Sequence, residues 1–205
     1  MYWSGMLSDL EIKRAVALGD IEISPYNPEN LNITSYDLTL GKEVRVYSRW
    51  VWSSLDKNGT YQLTPRTDVL DSAEEPQTLS WEIPEEGIVL QPGIGYLMHT
   101  HERVCTSKFN PILDGKSSIA RLFIQVHFTA GYIDPAFNGQ YTLEVMAQHP
   151  VRIYRGMRIC QVRFDKIDGS LGRTYQDVGH YVGASSTGAV ASHAWKQLAE
   201  MRSKQ

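Results

Sequence analysis

Glu144 stands in an otherwise uncharged run, Gln140-Tyr141-Thr142-Leu143-Glu144-Val145-Met146, and two turn-like motifs lie within thirty residues before it. Strict alternation along a strand puts Tyr141, Leu143 and Val145 on one face and Thr142, Glu144 and Met146 on the other. A carboxylate partly removed from water has its pKa raised toward neutrality, which suits it to take a proton and return it within one catalytic cycle. On the strand alone, a carboxylate on the solvated face of an edge strand is the better reading, and the two motifs near it are what shift the balance. The first motif, Gly115-Lys116-Ser117-Ser118, places two hydroxyls and a cation at the start of a short helix over Ser117 to Leu122, where backbone N–H groups can meet an anion. An ordinary glycine turn followed by a serine cap has the same residues. The second, His127-Phe128-Thr129-Ala130-Gly131-Tyr132-Ile133-Asp134-Pro135, holds Asp134 extended before a proline and pointing out of a turn, which can hold a sugar hydroxyl or be turn chemistry alone.

Other chemistries fail on spacing. A phosphate-binding loop of the Walker type needs a glycine at position 110, which is Asn110. His99-Thr100-His101-Glu102 puts two imidazoles on one strand face, but no third ligand lies close in sequence and the zinc-deaminase pattern of H-x-E followed by P-C-x-x-C is absent. No zinc site is expected. Serine-hydrolase elbows and dinucleotide fingerprints are missing too.

The elements that must carry these groups are mostly strands. Ser8 with Glu11 forms a capping box, Leu10, Ile12, Val16 and Leu18 make an apolar stripe, and Gly19 is a stop, so a short helix opens the chain. After it, runs rich in β-branched and aromatic residues recur at about 36–48, 88–91, 95–101, 122–128, 140–147, 150–155 and 158–165. Their spacing predicts a mainly β, antiparallel domain, a sandwich or jelly roll. Residues 49–80 read as a long excursion from the sheet with no assigned role. From Gly169 the chain is rich in Gly, Ser, Thr and Ala, the composition of a mobile arm, before a helical pattern at Ala191–Arg202.

Composition limits the partners. A chain of 205 residues can bury one full core, and no shift in composition divides it, so a single domain over 1–205 is expected. The formal charge of −3, without a basic stripe, argues against a nucleic-acid polymer. Apolar runs are too short for a membrane span and the N-terminus lacks the apolar centre of a signal peptide, so a cytoplasmic protein is expected. Cys105 and Cys160 are too few for a disulfide framework and are expected to be reduced and buried.

These pieces together resemble the deoxycytidine triphosphate (dCTP) deaminases of the trimeric deoxyuridine triphosphatase superfamily. The resemblance is carried by Ser35-Tyr36-Asp37-Leu38-Thr39-Leu40-Gly41, by Gly115-Lys116-Ser117-Ser118-Ile119-Ala120-Arg121-Leu122, by His127 to Asp134, by Gly139 with Thr142-Leu143-Glu144, and by Gly156-Met157-Arg158-Ile159 with Gln161. It extends to Gly188-Ala189-Val190-Ala191-Ser192. The Thr-Leu-Glu ending separates the deaminase branch from the plain triphosphatases.

The resemblance implies a distorted jelly roll and a hydrolytic deamination of dCTP to dUTP and ammonia, feeding thymidylate supply. It implies that Glu144 is the general acid and base, that Ser117 and the carbonyl of Ala130 orient the attacking water, and that Arg121 holds Glu144 and the tetrahedral centre. Lys116 and Ser118 would bind phosphates, Asp134 the sugar 3′-hydroxyl, and Thr129 and Tyr132 would also contact the nucleotide. Tyr175, His180 and Ser186 would reach it from the arm at 168–205. Magnesium would ride on the phosphates, no zinc would be needed, and the site would lie between subunits of a homotrimer. The chain departs from the family pattern at His180, where a lysine is usual, at Ser186 and Thr187 near a usual glutamine, and at Lys116, where an arginine is usual. These departures leave room for a nucleotide with fewer phosphates or a modified cytosine. A bifunctional enzyme that goes on to the monophosphate, and a silent nucleotide-binding protein, also stay open.

Overall fold

The computed structural model describes residues 5–56, 61–66, 68–182 and 188–204. Helix α1 (Asp9–Ala17) begins where the hydroxyl of Ser8 accepts the Glu11 N–H and ends before Gly19, whose φ of +73° suits a residue without Cβ. Its buried face is Ile12 and Ala15 rather than the whole expected stripe. Leu10 and Leu18 are exposed, since they project away from the buried Ile12 and Ala15 flank.

The strands follow in chain order: β1 (Glu22–Ser24), β2 (Tyr36–Thr39), β3 (Glu43–Tyr47), β4 (Val51–Leu55), β5 (Tyr61–Pro65), β6 (Thr78–Glu82), β7 (Ile88–Leu90), β8 (Tyr96–Cys105), β9 (Phe109–Gly115), β10 (Ile124–Gln125), β11 (Asn138–Ala147), β12 (Val151–Ile153) and β13 (Arg158–Lys166). They are interrupted by α2 (Ser117–Ala120) and followed by α3 (Tyr175–Val178) and α4 (Ala194–Ser203). The protein is therefore mainly β, as its spacing predicts. One sheet runs β10-β11-β8-β3-β6 with β1 also on β8; another runs β2-β13-β9. Every strand pairing is antiparallel. One hydrophobic cluster joins the two sheets, with Val44, Met98, Leu143 and Val145 from the first and Tyr36, Leu38, Leu113, Val162 and Phe164 from the second.

Strand β8 is buried through most of its length, so its polar residues need internal partners. Glu102 accepts from the backbone N–H and the hydroxyl of Thr39, each at 2.8 Å. His99 is buried too. Its Nδ1 lies 2.8 Å from the carbonyl of Thr100 and its Nε2 accepts the Glu43 N–H at 3.2 Å, which makes Nδ1 the donor. A Cβ on Gly41 would fall inside the His99 ring. The expected single strand over 36–48 is two, β2 and β3, with a break at Leu40-Gly41-Lys42, where the chain passes from one sheet to the other.

The 49–80 excursion contains more order than its composition suggests. β4 and β5 form a hairpin of their own and β6 adds to the edge of the main sheet through β3. A cavity of about 310 Å³ lies between this hairpin and β6 and β7, lined among others by Tyr61, Trp81 and Arg152. Strand β9 is not foreseen in the sequence, and the strand expected over 122–128 contracts to β10, because Phe123 takes a φ of +55° and turns the chain. Both cysteines are free, Cys160 buried and Cys105 half-buried.

Candidate active site

Strand β11 alternates between half-buried and buried along its whole length, placing Gln140, Thr142 and Glu144 on the half-buried side. Glu144 pairs across the sheet with Leu97 of β8. Burial pushes its carboxyl above the ordinary value of 4.5, against the opposing pull of the Phe128 N–H, its own N–H and the nearby His127. The Phe128 N–H reaches Oε2 at 3.4 Å, a long contact that leaves the carboxylate weakly held.

The segment carrying Ala130 and Asp134 is fixed to β9. Leu113 donates to the carbonyl of Gly131 at 2.7 Å and Ile133 donates to that of Pro111 at 3.1 Å. Gly131 must lack a side chain here, since a Cβ would come within 2.5 Å of the Leu113 carbonyl and 3.1 Å of the His127 ring. The result is a cavity of about 410 Å³ whose lining includes Glu144, Thr142, Ala130, Tyr132 and Asp134. Five of the expected site residues, Glu144, Ala130, Tyr132, Asp134 and Tyr175, thus share one space.

The arm completes that cavity in cis. Helix α3 starts at a capping box in which Thr174 and Asp177 bond reciprocally. The ring of Tyr175 packs on Phe137 at 5.1 Å and its hydroxyl accepts the Tyr181 N–H at 3.0 Å. Residues 188–192 then run beside β11: Gly188 donates to Oε1 of Gln140 at 2.8 Å and Val190 to the Thr142 hydroxyl at 3.1 Å. Tyr175, Tyr181, Val190 and Ser192 all line the cavity.

The phosphate turn is elsewhere. Ser117, Ser118 and Arg121 are exposed on and after α2, and none of them lines the cavity with Glu144. Helix α2 ends at Ala120, two residues short of the expected Leu122. Lys116 is committed to a different partner, its Nζ lying 2.7 Å from both carboxylate oxygens of the buried Asp37. Thr129 and His180 are exposed and also lie outside the cavity lining. Ser186 falls outside the described residues.

Two further side chains belong to this neighbourhood although the sequence assigns them no role. His127 is half-buried beside Glu144 with its Nδ1 buried and unpartnered among the described residues. Tyr47, more than ninety residues upstream in the chain, closes the cavity from the end of β3. Tyr47 could not be found from spacing, because long-range strand pairing brings it in, whereas His127 opens the 127–134 motif and is marked only by its place there. Among the described residues, no group of three or more His, Cys, Asp or Glu side chains is placed to hold a metal ion. Both ring nitrogens of His99 are occupied by backbone groups.

Comparison with known proteins bears on the same residues. The family described as "dCTP deaminase-like" matches residues 6–167. The chain belongs to that family. Among its curated relatives, the "dCTP deaminase, dUMP-forming" of Clostridium acetobutylicum is 38% identical over 164 residues, covering 80% of this chain and 84% of the relative. The protein of the same name from Leptospira biflexa is 38% identical over 152 residues, covering 74% and 77%. The solved 2′-deoxycytidine 5′-triphosphate deaminase of Agrobacterium tumefaciens has the same fold, with a TM-score of 0.57 at 21% identity. That match covers 82% of this chain and 50% of the Agrobacterium chain. The dCTP deaminase-like match stops at residue 167, just after β13, so it includes Glu144 and the 127–134 segment and leaves out the arm. Among the described residues, no helix of this family member is long and apolar enough to cross a membrane.

Proposed function

We propose that the protein deaminates a deoxycytidine nucleotide and continues to the monophosphate, so that dCTP and two waters, one for each step, yield dUMP, pyrophosphate and ammonia. The observation that carries the deamination is Glu144: a half-buried carboxylate whose proton affinity is raised, facing a cavity shared with the Ala130 and Asp134 segment. Glu144 takes a proton from water as the hydroxide attacks C4, and that proton goes to N3 of the ring. A proton then passes to the exocyclic amine, which leaves as ammonia. The carbonyl of Ala130 orients the water and Asp134 holds the sugar 3′-hydroxyl. The names of the curated relatives favour dUMP over dUTP, the product expected from the sequence, which here gives way.

Ser117 and Arg121, exposed and apart from the cavity, fit a site completed by a neighbouring copy, and a homotrimer would bring the two sets together. Lys116 would then support the phosphate turn through Asp37, with Ser118 facing phosphate and magnesium entering on the nucleotide. Thr129, His180 and Ser186 would join from the turn and the arm. A cytoplasmic location suits such a metabolic role. The test is chromatography of products from dCTP with magnesium, using the wild type and Glu144→Gln. The wild type should yield dUMP and pyrophosphate. The Gln variant keeps shape and loses the base, so it should bind nucleotide and lose deamination by a factor of at least about 100, in the range of general acid–base catalysis. Accumulation of dUTP would refute the second step, and an active Gln variant would refute the role of Glu144.

A further inference from the structure

The arm donates to β11 in a regular ladder. Gly188 meets Gln140 and Val190 meets Thr142, each step advancing two residues on both segments. The next rung would pair the Ser192 N–H with Glu144. It does not form. Ser192 donates instead to the hydroxyl of Tyr47 at 3.1 Å. Tyr47 ends β3, is half-buried, rests its ring edge-on against Trp50 at 5.8 Å and lines the same cavity as Glu144.

We propose that Tyr47 is a positioning residue for Glu144, taking the third backbone donor of the arm and so keeping it off the carboxylate. The inference rests on the reading of Glu144 as proton shuttle. A backbone N–H bonded to a carboxylate stabilises its charged form and weakens it as a base. A closed arm therefore carries a hazard: its third donor is in register to quench the group it covers. Tyr47 removes the hazard by offering an acceptor that stays neutral, since burial, with the charges of Tyr181 and Glu144, raises its phenol above the ordinary value of 10.0. Its own hydroxyl hydrogen donates to no other described residue, so it is available to the cavity. The other titratable groups around Glu144 are His127 beside it from the segment after β10 and, lining the same cavity, Tyr132 and Asp134 from the turn, Tyr141 from β11, and Tyr175 and Tyr181 from the arm. All of them are retained in the variants below.

Tyr47→Phe deletes the acceptor while keeping the ring. The Ser192 N–H is then left to Glu144, and the acidic limb of kcat/KM should move down by about one pH unit, the tenfold effect expected of one added charge-assisted bond. Adding Ser192→Pro removes the donor itself, and the limb should return toward its wild-type position. An unmoved limb in Tyr47→Phe, or a shift that Ser192→Pro fails to reverse, would overturn the proposal. Titration of the Glu144 carboxyl by carbon NMR in the nucleotide-free protein gives the same comparison without turnover. It decides the role of Tyr47 even if product analysis were to reject the deaminase reading.

Discussion

Lys116→Met should destabilise the protein in the absence of any nucleotide. The side chain of Asp37 is only 2% exposed, and Lys116 is 22% exposed against it. Both oxygens lie 2.7 Å from Nζ, while Asn32 donates to Oδ1 at 2.8 Å and Arg158 stands off at 4.0 Å. Stripping one partner from a buried pair costs about 3–5 kcal/mol. Asn32 and Arg158 stay in place and Lys116 is partly solvated, which lowers the expectation to about 2–3 kcal/mol. For a chain of this size that is a fall in Tm of roughly 4–12 °C. The assay is thermal and denaturant unfolding at fixed protein concentration, without nucleotide, of the wild type, Lys116→Met, Asp37→Asn and the double variant. A coupling of about 1–3 kcal/mol between the two sites is expected, because each single change leaves the other group stranded. If Lys116 were purely a phosphate ligand, its removal would raise KM and leave the melt alone. A Tm within a degree of wild type, with no coupling, would refute the reasoning.

The Ala130 turn makes a second expectation. Gly131→Ala drives a Cβ against the Leu113 carbonyl, a backbone atom that cannot step aside, so the turn should shift, costing about 1–3 kcal/mol of stability; kcat should fall at least about tenfold, and full turnover in this variant would show that the turn does not hold the water. The buried His99 makes a third. Burial lowers its pKa below the ordinary 6.5, so as pH falls through that value the unfolded chain takes up the proton first and stability declines until the folded pKa is passed. The slope from this one group cannot exceed about 1.4 kcal/mol per pH unit. Subtracting the unfolding free energies of His99→Gln from those of wild type across pH 7.5 to 5, roughly the span around an ordinary histidine pKa, isolates that contribution. A difference that does not change with pH would contradict a neutral, buried imidazole.

Strand β11 was legible because it is long and alternates without a break, and the same alternation puts Glu144 where the structure has it. Strand β9 was hidden by its own residues. Asn110, Pro111, Asp114 and Gly115 read as turn chemistry, yet β9 is the edge of its sheet, where a proline can sit without disrupting a ladder on both sides. The capped start of α1 shows plainly, whereas its stripe does not separate Ile12 from Leu10, since periodicity cannot tell which flank the rest of the chain will cover. Lys116 and Asp37 are 79 residues apart, and nothing in either segment announces the other. The Gly, Ser and Thr content of the arm suggests a loose segment, but its described anchors are backbone N–H groups on Gln140, Thr142 and Tyr47, which leave no mark in composition.

Glu144 and the Ala130 segment are attached to different sheets, the one through β11 and the other through β9. The side chains packed between the sheets therefore act as a spacer that sets the gauge of the site. Leu113 belongs to both, facing the core and the cavity at once. Core changes that conserve total volume are usually tolerated by the fold, but here a thinner or thicker filling would alter the gap in which water is held. Activity should thus be tuned by the packing between the sheets, and Leu113, on the border between core and cavity, is the screw that adjusts it.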